Sequence, residues 1–254
     1  KKISFFFNFF LYFLNMRIPY KTKLLILGSP RSGTYFTTRL LHNLGLDIRH
    51  EGTDIHGTVS SLHLLNSSGF SKTIHQIREP LKTISSLHKI DWLSKELWLD
   101  QKDDDNFAGH FNTNQGAKLT GEASLIRETS WRYFLEKIKD RNLTRKCMKA
   151  YIAWNELALE KSEFTFKIED VMQSKESFDN WLDSIGLIPE DSDYERSKTF
   201  TTHVDVSNKD LTRGGEIKQL GGIKSSPDLD WEILESLDSE LSQKIKNLTS
   251  GFYS

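Results

Sequence analysis

Two glycines, Gly28 and Gly33, have the spacing of a loop that could bind an anion. They lie within residues 24–41, which read LLILGSPRSGTYFTTRLL, between a short apolar run and an amphipathic run. Glycines let successive backbone N–H groups turn toward one point, and the N-terminus of a following helix adds the positive end of its dipole. The spacing therefore predicts a site for phosphate or a similar tetrahedral anion. The alternative is an ordinary glycine turn between a strand and a helix.

The end of this loop departs from that of nucleoside-triphosphate-binding loops. Those loops end in Gly-Lys-Ser/Thr, with the lysine reaching the β- and γ-phosphates. Thr34 stands at the lysine position here, and the cation is Arg31, inside the loop. Ser32, Thr34 and Thr37 offer hydroxyl donors. This arrangement favours a shorter anion that lacks a triphosphate tail.

The surrounding pattern predicts an α/β domain in which a parallel sheet is flanked by helices. Apolar runs predict buried strands over residues 23–27, 72–77 and 165–168. Helical spacing predicts helices over residues 35–44, 81–90, 130–139, 146–161, 178–185 and 231–248. Two polar segments, residues 100–118 and 207–227, are interpreted as loops, the first as a loop or lid. No linker divides residues 21–254, which we expect to form one domain.

Composition excludes several classes of protein. The 254 residues include 34 Lys and Arg against 35 Asp and Glu, a formal net charge of −1, so a general nucleic-acid binder is disfavoured. The single cysteine, Cys147, excludes an intrachain disulfide framework and a multi-cysteine metal site. No metal site is expected. The cysteine usage favours a reducing, cytoplasmic location.

The first residues form an apolar, phenylalanine-rich segment, ISFFFNFFLYFL, at positions 3–14. Twelve residues of helix span about 18 Å, less than the roughly 30 Å hydrocarbon core of a bilayer. A full membrane span is therefore not expected. Three interpretations remain for residues 1–20: the tail of a truncated signal-anchor, an interfacial helix, or sequence upstream of a true start at Met16. Membrane association is expected only through residues 3–14.

The loop sequence GSPRSGT at residues 28–34 resembles the 5′-phosphosulfate-binding loop of the sulfotransferases. These enzymes transfer a sulfuryl group from 3′-phosphoadenosine 5′-phosphosulfate (PAPS). Arginine inside the loop is similar to the tyrosylprotein and bacterial members, whereas cytosolic members have lysine. Tyr35 departs from the family, where a second threonine is usual, and Thr37 or Thr38 is expected to compensate. The resemblance implies donor binding by Gly28, Ser29, Pro30, Arg31, Ser32, Gly33, Thr34 and Tyr35.

A second motif strengthens the resemblance. Sulfotransferases bind the 3′-phosphate with an arginine at the end of a strand and a serine eight residues later, and Arg78 and Ser86 match that spacing. Arginine supplies a forked donor to phosphate, and the serine adds a hydroxyl. By itself, Arg78 would be read as an ordinary surface residue. The resemblance also suggests that Arg213, in the glycine-rich segment, closes over the 3′-phosphate.

The resemblance implies that a base removes the acceptor's proton, and family members use glutamate or histidine. Glu51 is the first candidate, because its distance from the loop arginine is similar to that in the tyrosylprotein enzymes. His50 and His56 are rivals, and Glu122 is an outside candidate. In this interpretation Arg31 stabilises the charge that develops on the leaving nucleotide.

The resemblance thus implies a PAPS-dependent sulfotransferase whose product is adenosine 3′,5′-bisphosphate. The acceptor is an unidentified hydroxyl or amine on a carbohydrate, peptide or small metabolite. Two alternatives stay open. One is a P-loop phosphotransferase that uses ATP, and the other is a non-catalytic nucleotide-binding protein. The location is expected to be cytoplasmic, or alternatively membrane-anchored through the N-terminal segment.

Overall fold

A parallel sheet of five strands organises the part of the chain that the computed structural model describes. These residues are 23–89, 133–203 and 227–253, apart from the single positions 53, 62, 66 and 135. The strands are β1 (Leu24–Gly28), β2 (Ile48–His50), β3 (Gly57–Ser60), β4 (Lys72–Ile77) and β5 (Phe164–Lys167). Their order across the sheet is β2-β3-β1-β4-β5, and every neighbouring pair is parallel.

Helices cover both faces of this sheet. They are α1 (Thr34–Asn43), α2 (Pro80–Leu87), α3 (Leu143–Lys161), α4 (Lys175–Ser184), α5 (Asp191–His203), α6 (Trp231–Leu237) and α7 (Ser239–Thr249), with a short 3-10 helix at His63–Leu65. Side-chain caps define several starts. Asn142, Ser174 and Asp230 accept hydrogen bonds from the first-turn amides of α3, α4 and α6. The prediction of an α/β fold with a parallel sheet is confirmed.

Strand β1 is buried on both sides, which explains its uninterrupted apolar sequence. Leu25 and Leu27 pack into a cluster with helices α2, α3, α6 and α7. Leu24 and Ile26 point the other way, into a cluster with α1 and α4. Alternate residues of a strand face opposite sides, so a central parallel strand under two helical layers needs apolar residues throughout.

Close backbone packing fixes β3 beside β1. Gly57 has φ +126°, and a Cβ built on it would lie 1.9 Å from the carbonyl oxygen of Leu24. Only glycine tolerates both the conformation and the approach. Its position sets the β3 register, Leu24 opposite Gly57, and so places Ser60 opposite Leu27 near the carboxyl edge of the sheet.

Several predicted elements differ from the observed ones. The helix predicted over 231–248 is two helices, because Asp238 adopts an extended conformation and caps α7 by accepting from the Leu241 amide. Strands β2 and β3 and helix α5 were not predicted. Helical residues within the predicted helix 130–139 occur at 133, 134 and 136–138. The predicted loop or lid at 100–118, the N-terminal segment 1–20 and residues 207–226 lie outside the described residues.

No helix among the described residues has both the length and the apolar character needed to cross a bilayer.

Candidate functional site

The carboxyl ends of the two central strands lie side by side. Gly28, the last residue of β1, is the register partner of Gln76 on β4. The loop that follows β1 and the turn that follows β4 therefore leave the sheet at the same edge. Ligands of open parallel sheets bind outside the carboxyl ends of the strands. This edge carries the residues that the sequence singled out.

The loop after β1 is a tight turn that ends in an uncapped helix. Gly33 has φ +91° and precedes α1 without any side-chain hydrogen bond to the first-turn amides. At Gly28, an added Cβ would lie 2.6 Å from Ser32 Oγ, so a larger residue would displace that hydroxyl. The first amides of α1 are left for an external acceptor, as in an anion-binding helix N-terminus.

Two hydroxyls in this loop are buried without a hydrogen-bond partner in the structure. They belong to Ser29, which is 1% exposed, and Ser32, which is 0% exposed. Buried polar atoms in native proteins are almost always paired, and an orphaned one calls for a specific reason. Two such hydroxyls in the predicted anion loop are consistent with an anionic ligand that would accept hydrogen bonds from them.

Arg31 links the loop to the second predicted motif. Its Nε donates a hydrogen bond of 2.9 Å to Ser86 Oγ on α2, across 55 residues of sequence. A guanidinium nitrogen of Arg78 donates, also at 2.9 Å, to the Arg31 carbonyl oxygen. The structure therefore brings together Arg31, Arg78 and Ser86, which the sequence placed in two separate motifs.

This cluster is electrostatically unbalanced. Burial and the neighbouring charge of Arg78 lower the pKa of Arg31. No carboxylate among the described residues forms an ion pair with either arginine. Arg31 also has φ +70°, which costs energy for a residue with a side chain. Two adjacent guanidinium groups and a strained backbone suit a polyanionic ligand better than a purely structural role.

Gln76 holds the loop in place, and the sequence analysis missed it. Its Nε2 donates to the Ser32 carbonyl at 2.7 Å, and its Oε1 accepts from Thr37 Oγ1 at 2.5 Å. Gln76 is 0% exposed. A glutamine near the end of a predicted buried strand, two residues before Arg78, was the available signal.

The hydroxyls expected to compensate for Tyr35 are engaged elsewhere. Thr37 Oγ1 donates to Gln76, and Thr38 Oγ1 donates to the Thr34 carbonyl. Both hydroxyls therefore serve the helix and its anchor in this structure, and the expectation that either compensates for Tyr35 stays a prediction. Tyr35 instead places its ring edge-on to His50, with centroids 5.6 Å apart. Pro30 lies partly exposed at the tip of the loop.

His50 stands at the far side of the same loop. A hydrogen bond of 3.0 Å joins its Nε2 to Thr34 Oγ1. Its side chain is 26% exposed, and Nε2 lies 3.9 Å from Oε1 of Glu51. His50 therefore contacts the loop directly, and Glu51 lies next to His50. His56 is further along the chain, where its Nδ1 accepts from the Asp47 amide in a surface turn.

Glu51 is embedded in hydroxyl donors. Oε2 accepts from Ser60 Oγ at 2.5 Å, and Oε1 accepts from the backbone N and Oγ of Ser61 at 2.8 and 2.6 Å. Burial favours the neutral carboxyl, but the charge of His50 and these hydrogen bonds outweigh it and lower the pKa of Glu51. Its φ of +57° adds a second strained residue at this edge. The local sequence suggested a loop carboxylate, whereas the structure ties it to β3.

His63 extends this group of side chains. Because the Ser60 hydroxyl donates its hydrogen bond to Glu51, the Ser60 oxygen accepts one from His63 Nδ1 at 2.9 Å. Burial lowers the pKa of His63, opposed by the charge of Glu51. The carboxylate, two serines and a buried imidazole thus form one connected network beside the anion loop.

Three side chains fix the turn between β4 and α2. Tyr151 of α3 donates to the Arg78 carbonyl at 3.0 Å. The Glu79 carboxylate caps α2 by accepting from the Leu81 and Lys82 amides. Glu169, just after β5, accepts from the Glu79 amide at 3.0 Å and from the Tyr253 hydroxyl at 2.8 Å. The position of Arg78 therefore depends on distant parts of the chain.

Two predicted residues, Arg213 and Glu122, lie outside the described residues. Among the described residues, no group of three or more His, Cys, Asp or Glu side chains could hold a metal ion. Cys147 is buried in the core, and burial raises the pKa of its thiol to about 12.

Comparisons of the chain with protein-family models, with curated proteins and with solved structures found no match.

Proposed function

We propose that the chain is a sulfotransferase that moves a sulfuryl group from PAPS to a hydroxyl or amine acceptor. The observation that carries this proposal is the meeting of Arg31, Arg78 and Ser86 at one edge of the sheet. A nucleotide with a phosphate on each side of its ribose would present one anion to the glycine loop and one to the turn after β4. Both arginines would then gain a counter-charge that no described carboxylate supplies.

The loop's donors suit the 5′ end of such a nucleotide. The amides at the start of α1 and the hydroxyls of Ser29 and Ser32 would serve its anionic oxygens. Thr34 stands at the position of the triphosphate-binding lysine, so that position offers no cation to a γ-phosphate. These features support a phosphosulfate over a triphosphate as the ligand.

The reaction that this site would perform is an in-line displacement at sulfur. The acceptor oxygen or nitrogen forms a bond to sulfur while the bond from sulfur to the 5′-phosphate oxygen breaks. Negative charge develops on that phosphate oxygen, where Arg31 would stabilise it. The acceptor's proton passes to a base, for which Glu51 and His50 lie at the edge of the loop.

The first test of the proposal is ligand binding. We expect adenosine 3′,5′-bisphosphate to raise the melting temperature without magnesium, and ATP with magnesium to raise it less. At a concentration 100 times its Kd, a ligand adds about 2.7 kcal/mol to the free energy of unfolding. A larger shift with ATP and magnesium would instead favour the phosphotransferase.

The second test is transfer itself. Incubation with labelled PAPS and a panel of carbohydrates, tyrosine peptides and small phenols should give a labelled product. The Arg31→Ala variant should form product about 10²- to 10³-fold less efficiently. Tight binding of the bisphosphate without transfer to any acceptor would favour the non-catalytic nucleotide-binding protein.

A further inference from the structure

A carboxylate and a phenol outside the glycine loop and the Arg78–Ser86 pair stand behind the turn that carries Arg78. Glu169 follows β5, and Tyr253 follows α7, far from Arg78 in sequence. Glu169 Oε1 accepts from the Glu79 amide, and its Oε2 accepts from the Tyr253 hydroxyl. Both carboxylate oxygens are therefore engaged, one by the turn that carries Arg78 and the other by the phenol.

That turn sets the positions of two anion-binding side chains together. Glu79 separates Arg78 from α2, and α2 carries Ser86. Its backbone amide is held by Glu169, and its carboxylate caps the helix. A shift of Glu169 would therefore move the end of β4 and the start of α2, and with them both partners of Arg31.

We propose that Glu169 and Tyr253 are positioning residues that set the affinity of the site for the nucleotide's 3′-phosphate. The inference rests on the proposed function. Tyr253 keeps the carboxylate oriented toward the Glu79 amide, and Glu169 keeps the turn oriented so that Arg78 and Ser86 face the same phosphate. Neither residue touches the ligand in this account.

The test compares two nucleotides that differ only in the 3′-phosphate. Adenosine 3′,5′-bisphosphate and adenosine 5′-monophosphate are titrated by calorimetry into the wild type and Tyr253→Phe. The variant removes only the hydroxyl and keeps the ring beside the Lys167 ammonium. We expect it to weaken binding of the bisphosphate about fivefold, the size of one ordinary net hydrogen bond, and binding of the monophosphate less than about twofold. A purely structural role would weaken both nucleotides alike.

Glu169→Gln separates positioning from simple electrostatics. Removing a negative charge near the phosphate would by itself tighten binding of the bisphosphate. A glutamine offers one acceptor oxygen where two donors must be served, so positioning predicts weaker binding. Tyr194→Phe is the matched control, since Tyr194 packs against Phe178 in the other core cluster, on the opposite face of the sheet.

The outcomes separate the two proposals. If the wild type binds the bisphosphate no better than the monophosphate, the proposed function fails. Suppose instead that the wild type prefers the bisphosphate to the monophosphate. If Tyr253→Phe and Glu169→Gln then keep the wild-type ratio of the two affinities, the positioning role is overturned. Should Tyr253→Phe fail to fold, Glu169→Gln decides alone, and tighter binding of the bisphosphate would contradict positioning.

Discussion

Arg31 combines three features that an ordinary loop arginine lacks. It is largely buried, its backbone is left-handed, and its guanidinium holds Ser86 of the second motif. We expect Arg31→Ala to lower kcat/KM for sulfuryl transfer about 10²- to 10³-fold, the usual cost of removing a group that stabilises developing charge. Alanine has a similar energetic cost at positive φ, so the loss of activity measures the effect of removing the guanidinium group. The exposed Arg39→Ala on α1 is the control. Activity within a factor of two of wild type would contradict the role.

Glu51 and His50 compete for the role of base. Glu51 Oε1 and Oε2 already accept hydrogen bonds from Ser60 and Ser61, which makes the carboxylate a weak base but a well-positioned one. The sequence favoured Glu51, so we expect Glu51→Gln to lower kcat about 10²-fold while the Kd of the bisphosphate changes little. His50→Gln is measured in parallel. Normal turnover in Glu51→Gln together with an inactive His50→Gln would assign the base to His50.

The lowered pKa of Glu51 also predicts a dependence of stability on pH. The folded state stabilises the carboxylate, so this contribution is complete above the ordinary glutamate pKa of 4.5 and disappears as pH falls through the lower folded value. The free energy of unfolding of the wild type should therefore exceed that of Glu51→Gln at pH 7. The gap should narrow between about pH 5 and pH 3. If urea titrations show the same difference in the free energy of unfolding over this pH range, the carboxylate charge contributes nothing to stability.

At the scale of elements, Gln76 connects strand β4 to the loop and to helix α1. It holds the Ser32 carbonyl and the Thr37 hydroxyl while buried. We expect Gln76→Met, similar in length but without those hydrogen bonds, to weaken the bisphosphate about tenfold, because the loop loses its anchor. Thr73→Val, at the other end of β4, is the control and should bind normally. Equal losses of affinity in both variants would indicate a general effect on the strand.

The elements around the loops could be predicted because their signals are local. Strand β4 has the predicted bounds, and β1 and α1 begin and end within one residue of them. Strands β2 and β3 have three and four residues of mixed polarity, too short for a periodic pattern. Helix α5 is mostly polar in sequence, so it also has no clear apolar periodicity by which it could be predicted. A single apolar pattern over 231–248 concealed the cap at Asp238.

The same distinction between local and long-range signals applies to the candidate site. The loop and the Arg78–Ser86 pair carry a spacing that can be read in the sequence. The partners of these residues come from elsewhere: Ser60 and Ser61 reach Glu51 from a strand that was not predicted, and Tyr253 reaches Glu169 across 84 residues. Contacts of this kind depend on the order of strands and the packing of helices, which no local pattern encodes.

At the scale of the whole molecule, the glycine loop and the turn that carries Arg78, the two proposed anion-binding arms, lie at one edge of one sheet. A ligand that bridges them should slow hydrogen exchange in residues 28–37 and 78–86 together, because each arm would then be held by the ligand as well as by the sheet. Helix α4 (Lys175–Ser184), on the outer layer, is the internal control and should exchange at the same rate with and without ligand. Adenosine 3′,5′-bisphosphate should protect both arms, whereas adenosine 5′-monophosphate should protect mainly the first. Protection of a single arm by the bisphosphate would mean that Arg31 and Arg78 do not share one nucleotide, and the proposed sulfotransferase site would have to be abandoned.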